Sequence, residues 1–131
     1  MRWFFLFAAL LAAATMHAEL PPSAYEAMQK AAADYLKIEV VRVEIEPGDA
    51  PGRQNVLVMA LVNGVMRTSG GVSEGDLINI SYTVTDREKG WSGPGEIPLL
   101  EDKEKTVAYL VKDEGTGDFH PAAGAMSFRN F

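Results

Sequence analysis

The stretch Gln54–Arg67, QNVLVMALVNGVMR, sets the tightest limit on what this chain can fold into. Every residue from Val56 to Val62 is apolar, and Asn63-Gly64 interrupts the run. Successive side chains of a strand point to opposite faces, so a run apolar on both parities predicts a strand covered on both sides. A bilayer-spanning helix takes ~20 residues, so this run is too short to be one. Its valines and its single glycine favour a long, bent central strand over a buried helix.

The neighbouring segments alternate in the same way. In Tyr35–Glu46, Ile38 and Val40 alternate with Lys37 and Glu39; then the phase slips, and Val41, Val43 and Ile45 alternate with Arg42, Glu44 and Glu46. A one-residue slip in a period of two is the trace of a β-bulge, and bulged strands turn the corners of small barrels. Leu77–Thr85 alternates cleanly, with Ile78, Ile80, Tyr82 and Val84 on one face. Thr106–Lys112 predicts a further strand, and Met126–Arg129 a last short one. Pro47–Gly52, Asp113–Asp118 and Pro121–Gly124 carry turn chemistry, Gly64 marks a second bend, and Asp86–Glu96 is the longest loop. Ile97–Leu100 is a short apolar anchor that Pro98 keeps from being a central strand. Ahead of the strands, Ser23 and Glu26 have capping-box spacing. Tyr25, Met28, Ala32 and Tyr35 then mark one face of a helix running to about Asp34, with Glu26 and Lys30 paired on the other. One helix and five strands on short turns predict an antiparallel OB-like barrel, with a β-sandwich as the alternative.

The first eighteen residues are expected to be removed. Met1-Arg2, an apolar run from Trp3 to Ala14 and a small-residue exit make a secretory signal peptide, cleaved after Ala18 or, alternatively, after Ala14. The organisation expected is therefore residues 1–18 as leader, 19–34 as lead-in and helix, and 35–131 as the barrel, in a periplasmic or secreted protein. Once the leader is gone, no apolar segment reaches spanning length, so no membrane contact is expected. With 12 Lys and Arg against 18 Asp and Glu, the chain lacks the electrostatic footprint of a nucleic-acid binder. It contains no cysteine, which excludes disulfides, thiolate metal sites and a Cys nucleophile.

The bulged strand Ile38–Ile45, the central strand, Ser73–Ile78 entering the third strand, and Thr106–Val111 together resemble the OB-fold of netrin-like domains. Those modules occur in tissue inhibitors of metalloproteinases and in complement C-terminal regions. Gly93–Leu100 and Pro121–Phe128 also resemble segments of small exported bacterial proteins. The resemblance implies a barrel used for binding. It does not bring the inhibitors' mechanism, which needs a cysteine at the mature N-terminus.

Chemistry-bearing residues are few. His120 is the single histidine left after the leader, and Pro121 behind it predicts a turn. Ser127 and Asp118 lie near it in sequence, without nucleophile-elbow spacing. Met28, Met59, Met66 and Met126 have no ligand spacing, and Asp113–Asp118 lacks the twelve-residue pattern of a calcium loop, so neither a metal nor a cofactor is expected. Trp91, with Arg87 and Lys89 in a glycine-rich loop, has the composition of a contact hot spot. Tyr82, Tyr109 and His120 complete the candidate ligand or partner contacts. The expected function is an exported, non-enzymatic binding or protein-interaction domain. An accessory subunit of a periplasmic complex, docked through the helix, is one alternative; a small hydrolase or metal-dependent enzyme using His120 is the other.

Overall fold

A computed structural model describes residues 20–85 and 96–130; the predicted leader lies outside the described residues. Among the described residues a helix, α1 (Pro22–Ala31), precedes β1 (Asp34–Pro47), β2 (Arg53–Arg67), β3 (Leu77–Thr85), β4 (Lys105–Lys112) and β5 (Phe119–Pro121), and a 3-10 turn, Gly124–Met126, follows. The strands close into a barrel in the order β1-β2-β3-β5-β4, the OB-like arrangement expected from the sequence. Neighbours run antiparallel except β3 and β5, which meet in parallel at Ile80 and Phe119.

The phase slip in the first strand becomes a bulge at the same residue. Val40 pairs with Ala60 and Arg42 with Met59, which leaves Val41 without a partner on β2. Before the bulge Leu36, Ile38 and Val40 are buried in the core, and after it Val43 takes over that face. The register shifts twice more around Gly64, where Asn63 and Met66 are the extra residues on β2. β1 is thereby bent enough to pair with β2 along its whole length and with β4 over Asp34–Glu39.

The central strand departs from expectation in one respect. Val56, Val58, Ala60 and Val62 are at most 2% exposed, whereas Leu57, Met59 and Leu61 are only half-buried. A barrel has its core on one side of every strand, so the second apolar parity gains partial shelter and no second core. β3 follows its alternation as predicted, with Ile78, Ile80, Tyr82 and Val84 inside.

The helix starts and stops differently from the predicted one. Pro22 opens it, preceded by an extended Pro21 that makes no side-chain cap. A proline in the first turn has its φ pre-set and lacks an N–H that would need a partner, so Ser23 falls inside the helix and no capping box forms. The Glu26–Lys30 pair does form, at 3.3 Å on the exposed face. α1 ends at Ala31, and Asp34 begins β1 instead of closing the helix.

The C-terminal segment is held by long-range hydrogen bonds and forms no strand at Met126–Arg129. The buried Gln29 amide donates to the carbonyls of Met126 and Arg129, each at 2.8 Å. Ser127 turns the chain locally: its hydroxyl donates to the Gly124 carbonyl and accepts from the Ala123 N–H. Gly124 sits at φ +52°, in the left-handed region that glycine adopts most readily, and packs against Tyr25. The last strand lies earlier, at Phe119–Pro121, which puts His120 on a strand and not in a turn.

Helix, β1, β2 and tail meet around an aromatic pair. Tyr35 and Tyr109 stack with centroids 4.3 Å apart, and both hydroxyls donate to Asn130 Oδ1. The Arg67 guanidinium lies over Tyr35 and donates to the Ala32 carbonyl, past the end of α1, and to the Gln29 carbonyl, which also accepts from the Ala32 N–H. Burial, and then the neighbouring Tyr35 hydroxyl, push the Tyr109 phenol up to about 12. A raised pKa in the fold means that the stabilisation is complete below the ordinary tyrosine range and is lost as pH rises towards 12. Ultraviolet titration of tyrosinate is expected to show a late step that Tyr109→Phe removes. A step that survives the substitution would assign the shift elsewhere.

Candidate functional site

The alternation that fills the barrel also furnishes its outer wall. With Val43, Val56, Ile80 and Tyr82 turned towards the core, Glu44 and Glu46 of β1, Asn55 and Leu57 of β2, and Ser81 and Thr83 of β3 share the outer face. A cleft of about 640 Å³ lies against this face, closed on one side by Asp118, His120 and Pro121 and touched by Ile97.

His120 owes its position to the parallel contact between β5 and β3. Its Nδ1 is 3.0 Å from the Ser81 carbonyl, an acceptor only, so Nδ1 carries the proton. Nε2 faces Asp113 Oδ2 at 3.5 Å. The Gly115 N–H, donating at 2.8 Å, and then His120 hold the Asp113 carboxyl below its usual range. That turn reaches the cleft floor at Asp118, whose Oδ2 accepts from the Ser81 hydroxyl at 3.4 Å. The lining is acidic: Glu44 is matched by Arg42 at 2.7 Å, while Glu46 and Asp118 have no ion-pair partner among the described residues.

Of the candidate contact residues that are described, Tyr82, Tyr109 and His120, only His120 lies in the cleft wall with an exposed edge. Tyr82 borders the cleft from within the core. Its hydroxyl donates to the Pro98 carbonyl and accepts from the Leu100 N–H, tying the 97–100 segment to the barrel, and burial raises its phenol. Tyr109 is buried beneath the C-terminal segment. Neither ring is displayed to a ligand. Trp91 and Arg87 lie outside the described residues. Asp118, His120 and Ser127 do not assemble into a triad: Ser127 is buried and bonded within its own turn, and His120 faces a backbone carbonyl and Asp113. No group of three or more His, Cys, Asp or Glu suited to a metal occurs among the described residues.

Glu44, Glu46, Ser81 and Thr83 were not singled out. Their signal was the polar parity of two alternating strands, visible in the sequence but not tied to one face until the β1–β2–β3 register is known. The chain matches no protein-family model, none of the curated proteins and no solved structure.

Proposed function

We propose that this chain is an exported, non-enzymatic binding domain that takes a basic, extended peptide segment on the outer face of β1–β2–β3. One observation carries the reading: the cleft there combines the carboxylates of Glu44, Glu46 and Asp118 with strand hydroxyls and the half-buried Leu57. OB barrels bind their ligands on the face of strands 2 and 3 between flanking loops, and this cleft occupies that place. Glu46 and Asp118, without an ion-pair partner among the described residues, select a cation, the hydroxyls of Ser81 and Thr83 offer hydrogen bonds, and Leu57 with Ile97 gives an apolar strip for the stems of Lys or Arg. The predicted leader supports export. The non-enzymatic part rests on His120, whose ring nitrogens face a carbonyl and a carboxylate and, among the described residues, no nucleophile.

The test is calorimetric titration with a ten-residue peptide alternating lysine and alanine, against its glutamate counterpart. The lysine peptide is expected to bind, and to bind more weakly as salt rises. Glu44→Gln, Glu46→Gln and Asp118→Asn are each expected to weaken binding about threefold, and about thirtyfold together, from the ~0.7 kcal/mol typical of an exposed ion pair. Equal affinity for both peptides, or an unaffected triple variant, would sink the proposal.

A further inference from the structure

Among the described residues, the sheet that forms the cleft ends in an open strand. β1 pairs with β4 over Asp34–Glu39, and Val40 closes that side by donating to the Glu104 carbonyl and accepting from the Lys103 N–H. Past the bulge, Arg42–Pro47 pairs with β2, and no described residue pairs with its other edge. Val41 and Ile45, on this segment, are 47% and 45% exposed. An exposed edge is a template for another strand.

We infer that this edge pairs, antiparallel, with the same edge of a second copy of the chain, with Val43 on the two-fold axis. The register follows from charge. Arg42, Glu44 and Glu46 share the outer face, so in an antiparallel pair they meet one another directly across the junction. A two-fold at Val43 sets Arg42 opposite Glu44 twice, and Val41 opposite Ile45. Centring on Arg42 opposes arginine to itself, centring on Glu44 opposes glutamate to itself, and centring on Ile45 opposes Glu44 to Glu46. Centring on Glu44 also sets Arg42 opposite Glu46, but beside the glutamate self-pair; only the Val43 register brings unlike charges together with no like pair across the junction.

The backbone agrees with this choice. On β1 a core-facing residue, Val40, turns its N–H and C=O away from β2. Beyond the bulge Val43 and Ile45 hold the core-facing parity, so their groups point to the open edge, and Val43 exchanges both bonds with its copy. Pro47, the next of that parity, lacks an N–H and ends the ladder. The joined sheet would run through both copies and leave both clefts open on it, giving two peptide sites per dimer.

So short an edge buries far less than a standard interface, so the dimer is weak, with a dissociation constant on the order of hundreds of micromolar. Sedimentation equilibrium of the protein purified after export, from ~10 μM to ~1 mM, is expected to show it. Arg42→Glu and Glu44→Arg each put like charges opposite and are expected to raise the dissociation constant at least ~10-fold. The double variant R42E/E44R restores unlike pairs and is expected to return within ~3-fold of the parent. The chain has no cysteine, so Val43→Cys supplies a sole thiol. Hydrogen-bonded partners lie ~5.5 Å apart at Cα, which suits a disulfide, so mild oxidation is expected to crosslink Val43→Cys and not Glu46→Cys. Circular dichroism confirms that each variant is folded. A parent that stays monomeric at ~1 mM, a double variant as monomeric as the singles, or equal crosslinking from position 46 would overturn the inference.

Discussion

Ile80→Ala is expected to cost about 2–5 kcal/mol of stability, the range for truncating a fully buried aliphatic side chain. Ile80 has no exposed surface, pairs with Val58 across β2, and is the one residue of β3 in register with β5, through Phe119. Truncation removes contact area and leaves a cavity where two strands meet over a short span, with little backbone pairing to hold the walls together. Domains of this size have about 5–15 kcal/mol in all, so the loss is a substantial fraction. Ile80→Val, which keeps the β-branch, is expected to cost about 0.5–1.5 kcal/mol. Leu77→Ala at the start of the same strand, where the side chain is 62% exposed, is expected to change little. Denaturant unfolding followed by circular dichroism ranks the three. A loss below about 1 kcal/mol at Ile80 would mean that barrel closure does not depend on this contact.

That β3 carries so sharp an expectation reflects how fully its sequence declares it. From Ile78 on its two parities differ in polarity at each step, so strand, face and core residues are all legible. The bulge at Val41 was legible for the same reason, since a phase slip has no simpler local explanation. β2 misled because apolar residues on both parities look alike whether a second core covers them or only partial shelter does. The C-terminal segment was illegible for a different reason. Its shape is set by Gln29, 97 and 100 residues away from the carbonyls it binds, and by Tyr109 and Thr106 donating to Ser127 and Phe128. Local periodicity carries no record of such partners, so it puts the last strand at Met126–Arg129 and His120 in a turn. The site divides along the same line. His120 stood out by type, whereas Glu44, Glu46, Ser81 and Thr83 are ordinary surface residues until three strands are in register.

Asp34→Ala is expected to cost about 2–4 kcal/mol, from lost charge-assisted hydrogen bonds and the donors left behind. Asp34 is fully buried at the first position of β1. Its Oδ1 accepts from the Thr68 hydroxyl at 2.5 Å and from the Ser69 and Gly70 N–H groups at 3.1 and 3.3 Å. The Thr68 hydroxyl accepts in turn from the Val72 N–H, so one carboxylate organises the whole exit from β2. Oδ2 has no hydrogen-bond partner among the described residues. That asymmetry makes Asp34→Asn informative. An amide keeps the Oδ1 acceptor, removes a buried charge, and puts an N–H₂ group where no acceptor waits. Its expected cost is smaller, about 1–2 kcal/mol. Hydrogen exchange separates this from a general loss of stability. The Ser69, Gly70 and Val72 amides are expected to lose protection in Asp34→Ala more than the Ile80 amide does, because the loop is released before the barrel opens. Equal loss at all four would show that Asp34 supports the barrel as a whole, and unchanged stability in both variants would show that the loop holds its shape without it.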